Sequence, residues 1–95
     1  MEKIINSNDD IKSDVNYLSF ARNFAIQTIT DLVTSFNCQV NNRGWVNMRV
    51  YHDHALIDEF IRRGIDVSCI YDGQAIDFSH HVRFNSSACK LITAD

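Results

Sequence analysis

The chain has 95 residues, of which 45% are hydrophobic, 11% aromatic and 22% charged. Nine basic side chains nearly offset twelve acidic ones, leaving a formal charge of −3. That balance argues against a polybasic nucleic-acid binder and is too weak for a wholesale mimic of DNA charge, while the apolar content argues against a disordered chain.

A chain of this size buries roughly two-thirds of its unfolded surface, enough for one modest core. A single domain over residues 1–95 is therefore expected. No apolar run approaches the ~20 residues of a membrane span. Residues 1–6 lack the apolar stretch of a secretory leader, which points to the cytoplasm. Cys38, Cys69 and Cys89 are odd in number and widely spaced, with no CxxC pair. Buried, unbridged thiols in a reducing compartment follow from that usage, and a thiolate zinc site does not.

The first predicted element is a long helix over residues 9–36. Ser7 and Asp10 resemble a capping box, and Asp9 and Asp10 suit the positive end of the helix dipole. At 100° per residue Ile11, Val15, Leu18, Ala25, Ile26, Ile29, Val33 and Phe36 share one face. The helix would be about 40 Å long, more than a domain of this size spans, so a kink or break is expected near Ser13-Asp14 or Ser19.

A hairpin is predicted next: Cys38-Gln39-Val40, the turn Asn41-Asn42-Arg43-Gly44, and a strand over residues 45–51. In that strand Val46, Met48 and Val50 share one face. A short helix over residues 54–63 follows, with Asp53 as its N-cap and Gly64 after its end. Leu56, Ile57, Phe60 and Ile61 form its apolar stripe. Asp58 with Arg62, and Glu59 with Arg63, are acid-before-base pairs at i,i+4.

Asp72-Gly73 then reads as a two-residue type I′ turn between strands over 65–71 and 74–78. That register sets Tyr71 opposite Gln74, Cys69 opposite Ile76 and Val67 opposite Phe78 on one side. Ser68 and Asp66 would face Asp77 and Ser79, with His80 opposite Ile65. In the tail Val82-Arg83-Phe84 alternates like a strand, and residues 86–93 fit a final helix or strand. The order α-β-β-α-β-β plus a tail predicts an α+β fold, a small single-layer antiparallel sheet packed against helices.

Candidate sites follow from residue types. His52-Asp53-His54 and His80-His81 resemble metal ligands, but no spacing motif is satisfied. His52, His54 and His80 are weak candidates only, and neither metal nor cofactor is expected. Nucleophile signatures and phosphate-binding loops are absent, so the chain is read as non-catalytic. Arg43, Arg49 and Arg83, with Trp45 and Tyr51 as stacking platforms, are the alternative nucleic-acid contact.

The anomaly lies in the first helix. Tyr17, Phe20 and Phe24 sit roughly 120–180° from the centre of its apolar stripe, while Arg22 falls inside that stripe. Aromatic anchors on a second face suggest a protein–protein interface, with Asp14 and Asp31 meeting a basic partner surface. By analogy, short acidic chains without motifs are often inhibitors, such as phage-encoded antagonists of host defence enzymes or immunity proteins that neutralise a toxin. The expected function is a non-catalytic binding protein that occludes another protein or pairs with itself. A nucleic-acid-associated regulator, and a His/Cys metal-binding protein or enzyme, are the alternatives.

Overall fold

The computed structural model describes residues 12–40 and 48–94. Readings that rest on Ser7, Asp9, Asp10, Ile11, Arg43, Trp45 or Val46 lie outside those residues. The described elements are α1 (Val15–Ala25), α2 (Ile29–Asn37), α3 (Arg49–Arg62), β1 (Val82–Asn85) and β2 (Lys90–Thr93). The class is α+β, but the order is three helices and then an antiparallel strand pair.

Among the described residues the predicted long helix is divided into α1 and α2. Asp14, in extended backbone, accepts the Asn16 N–H at 2.8 Å and starts α1, so a boundary does fall at Ser13-Asp14. Ser19 lies uninterrupted inside α1. The second break comes at Ile26 to Thr28. Thr28 Oγ1 accepts from the Asp31 N–H at 3.1 Å and Asp31 Oδ2 from the Thr28 N–H at 3.4 Å, closing a capping box that begins α2. Arg63 holds the break from across the fold. Its Nη2 donates to the carbonyls of Phe24 at 3.0 Å and Gln27 at 2.7 Å, at the end of α1 and just beyond it.

The hairpin predicted around residues 41–44 is not formed by its described parts. Residues 38–40 make turns after α2, and Arg49, Val50 and Tyr51 open α3 instead of closing a strand. Asp53 is not an N-cap. It is buried within α3, where Arg49 Nε donates to Oδ2 at 3.2 Å and His52 Nδ1 lies 3.1 Å from Oδ1. The partner one turn earlier lets a buried carboxylate continue the helix. Gly64 follows the helix end as expected, with φ +78 in the left-handed region.

The Asp72-Gly73 turn keeps its glycine, with φ +97, but not its register. Tyr71 bridges Ile76 rather than facing Gln74. The reason is the Asp72 carboxylate, whose Oδ1 accepts the N–H groups of both Gln74 and Ala75 at 2.8 Å and so spreads the turn over more residues. Upstream, Ile70 and Tyr71 donate to the Val67 carbonyl, so residues 67–71 coil instead of extending. The cross-strand pairs predicted for Cys69, Val67, Ser68, Asp66 and His80 are therefore absent.

The described sheet comes from the tail. Val82 is buried, Arg83 exposed and Phe84 half-buried, as the alternation predicts, and the strands register Val82↔Thr93 through Asn85↔Lys90. Both edges are occupied. Asn37 donates from Nδ2 to the Val82 carbonyl at 3.0 Å and accepts the Val82 N–H at 2.8 Å, so its amide imitates a strand. On the β2 side Asp66 donates to the Cys89 carbonyl and accepts from Leu91 N–H.

The core joins Leu32 and Phe36 of α2 to Leu56, Ile57 and Phe60 of α3, and to Val82 and Leu91 of the hairpin. Phe78 stacks on Phe36 with ring centroids 4.8 Å apart, and the Arg49 guanidinium lies 4.8 Å from the Phe78 centroid.

Cys89 ends the β1–β2 loop at φ +54, a conformation that crowds any Cβ. Cys89→Gly should therefore raise stability by about 1 kcal/mol, or ~4–8 °C in a domain this small. Thermal unfolding by circular dichroism under reducing conditions checks this; an unchanged or lower midpoint would show that the thiol's 3.4 Å contact with the Gly64 carbonyl outweighs the strain.

Candidate functional site

Helix α1 has two apolar faces, and packing chooses between them. The aromatic one turns inward. Tyr17 and Phe24 are buried and Phe20 is half-buried. Tyr17 Oη donates to Asp58 Oδ2 at 2.6 Å. Burial, together with that carboxylate, raises the phenol above its ordinary range and keeps it a donor. Phe20 and Phe24 stack at 6.4 Å, and the His52 ring meets both edge-on at 5.1 and 5.2 Å. The rings read from the sequence as anchors for a partner are thus seated on α3. Of the two acidic residues grouped with them, Asp14 caps α1 and Asp31 closes the capping box of α2.

The aliphatic face, read from the sequence as core, turns outward. Val15 is 73% exposed, Leu18 45% and Ile26 85%. Arg22 stands among them in the last turn of α1, exposed and without an ion pair to any described residue. Its place in the stripe was the signal, because a cation on a buried face needs a partner or an escape route. On α3 Ile61, assigned to the apolar stripe, is 49% exposed while Leu56, Ile57 and Phe60 are buried.

Between α1 and α3 runs an open groove of about 330 Å³. Ala21, Ala25 and Ala55 line it together with Leu18, and Arg22 and Arg62 also border it. Its acidic groups are already engaged. Asp58 holds Tyr17 and lies 3.8 Å from Lys12 Nζ. Glu59, only 5% exposed, accepts from Arg62 Nε and Nη2 at 2.9 and 2.6 Å, and from Arg63 Nε at 2.6 Å. Hydrogen bonds from Arg62 first, and then from Arg63, hold its carboxyl below the ordinary range against the opposing effect of burial. Of the two i,i+4 pairs read from the sequence, Glu59–Arg63 is made, whereas Arg62 turns to Glu59 instead of Asp58.

The other candidates disperse. His52 is packed between rings beside Asp53, and His80 is exposed in the loop before β1. His54 is half-buried on α3, and its burial lowers the pKa against the opposing pull of Asp58 and Asp53. Among the described residues no three His, Cys, Asp or Glu side chains converge to hold a metal ion. Arg49 donates to Asp53 and to the Gln39 carbonyl, so its charge is engaged internally, and Tyr51 lies half-buried in α3 rather than on a sheet. Arg83 is exposed on β1, while Arg43 and Trp45 lie outside the described residues.

The thiols are exposed, not buried as expected, and none forms a disulfide. Cys69 Sγ donates to the Leu91 carbonyl at 3.1 Å, and partial burial raises its pKa. Among the described residues no helix is long and apolar enough to cross a membrane. Compared with protein-family models, curated proteins and solved structures, the chain matches none.

Proposed function

We propose that this chain is a small non-catalytic binding protein that acts by associating with another protein and occluding part of its surface. The observation that carries this reading is the outward face of α1, where Val15 at 73% and Ile26 at 85% exposure flank Arg22, which makes no ion pair with a described residue. Scattered surface aliphatics are ordinary, but several on one helix face form an exposed apolar patch of the kind that marks association surfaces. Mechanism needs no reacting group. The aliphatic residues seat on an apolar patch of the partner, Arg22 meets a carboxylate there, and the bulk of the domain blocks access. An inhibitor or immunity role fits such a device.

The test compares the tagged chain with its Val15→Asp/Ile26→Asp variant, both captured gently from their own cells and weighed by native mass spectrometry. A discrete heterocomplex that the variant loses, while its thermal unfolding is unchanged, is the expected result. A wild-type chain recovered only as a bare monomer, or a variant that keeps the complex, would overturn the reading.

A further inference from the structure

The outward face of α1 is not flat, and its shape constrains what can lie on it. Along α1 the residues Leu18, Arg22 and Ala25 follow an i, i+4, i+7 spacing, and across the groove Ala55 and Arg62 of α3 are also seven apart. Two helices whose facing side chains are alanines leave a channel between raised rows, and the complement of such a channel is the ridge of a third helix. The groove's volume of about 330 Å³ has room for one row of side chains but not for a folded loop.

Charge selects among helices. Arg22 has no ion pair among the described residues, and Arg62 stays 63% exposed while bonded to Glu59. Glu59 is answered by Arg62 and Arg63, and Asp58 by Lys12, so the groove's one charge without an ion pair among the described residues is the cation of Arg22. A second copy of this chain would bring Arg22 and Arg62 toward their own kind, which opposes self-association.

We infer that the groove between α1 and α3 receives one amphipathic helix of the partner protein, with an apolar row against Leu18 and the alanines and a carboxylate facing Arg22 and Arg62. This rests on the reading that the chain binds another protein. Recognition is then of the helix-in-groove kind, read through i, i+3, i+4 and i+7 anchors.

The probes are three synthetic helical peptides of about 18 residues, ~27 Å long. The first has a leucine row flanked by glutamates, the second replaces those glutamates with lysines, and the third is the first broken by a central proline. Each is titrated into the full chain carrying isotope-labelled alanine methyls. The acidic peptide should shift the signals of Ala21, Ala25 and Ala55, and the other two should bind about tenfold more weakly or not at all. Arg22→Glu should reverse the preference between the glutamate and lysine peptides, and Ala25→Trp should abolish binding while both variants keep the wild-type circular dichroism.

Equal binding of all three peptides, or none by any, would overturn the inference. So would a concentration-dependent dimer in sedimentation without peptide, or binding that appears only after deletion of residues 1–11, since each assigns the groove another occupant. The two readings fail separately. If Val15→Asp/Ile26→Asp loses the captured heterocomplex but Ala25→Trp and Arg22→Glu retain it, the binding function stands and the groove is not its seat.

Discussion

Replacing Phe20 and Phe24 together by aspartate is expected to unfold the protein at room temperature. Phe24 is 3% exposed and stands with Phe20 against the His52 ring. Truncating one buried phenylalanine costs roughly 3–5 kcal/mol from lost transfer energy and the cavity left behind. Aspartate adds the cost of taking a carboxylate out of water at a position the core has buried. The whole stability of a domain this size is about 5–15 kcal/mol, so the pair removes most or all of it. The counterpart is Val15→Asp/Ile26→Asp on the same helix, which should stay within about 0.5 kcal/mol of wild type because both positions are exposed. Far-ultraviolet circular dichroism with thermal unfolding compares the two pairs. A folded aromatic variant beside an unfolded aliphatic one would mean that α1 is seated on α3 by the opposite face.

The second large effect belongs to Glu59. With Arg62 and Arg63 it forms a cluster around a buried carboxylate, which also holds Arg63 on the carbonyls at the end of α1. Glu59→Leu leaves the Arg63 guanidinium without its anion and should cost about 3 kcal/mol, the lower end for breaking a buried pair, because Arg62 is screened by solvent. The same group predicts acid sensitivity. Its folded pKa lies below the ordinary value of 4.5, so the native state holds its proton less tightly than the unfolded chain. The stability from that difference is fully present above the unfolded pKa and is lost as pH falls through the folded one. His54 acts in the same sense at higher pH. Burial lowers its pKa from 6.5, so acidification below that value favours the unfolded chain, which takes up the proton more readily. Urea midpoints from pH 7.5 to pH 3 should therefore fall in two stages, and Glu59→Leu should flatten the lower one. A variant whose midpoints track wild type below pH 4.5 would show that other carboxylates dominate acid unfolding.

The first prediction reverses what the sequence suggests, and the reversal has a geometric cause. Periodicity fixes the angles between residues on one helix, but not the side on which the rest of the protein lies. Val15, Leu18, Ala25 and Ile26 aligned with Ile29, Val33 and Phe36 only if a single helix ran through all of them. The break at Ile26 to Thr28 disconnects those phases, leaving Phe36 buried from α2 and Val15 exposed on α1. The signal for the break was legible in Thr28 and Asp31, a Thr-x-x-Asp spacing inside the apolar run. Likewise Val46-Met48-Val50 alternates like a strand, yet Arg49 and Asp53 at i,i+4 are a helical pair, and a buried carboxylate answered by the earlier arginine carries α3 back to Arg49.

What the sequence by itself determined is local. It marked the boundary at Ser13-Asp14, the glycine after α3, the left-handed glycine of the Asp72-Gly73 turn, the Glu59–Arg63 pair and the alternation of β1. Each depends on residues within a turn or two of one another, where capping, φ preference and side-chain spacing act directly. Tertiary structure alone decided which face of α1 is core, where the sheet lies and which apolar residues are left exposed. Those outcomes turn on contacts between distant segments: Tyr17 on Asp58, His52 against Phe20 and Phe24, Arg63 on the end of α1, and Asn37 on Val82. A long-range contact of this kind leaves no spacing in the chain, because its two halves meet only after the elements between them have folded.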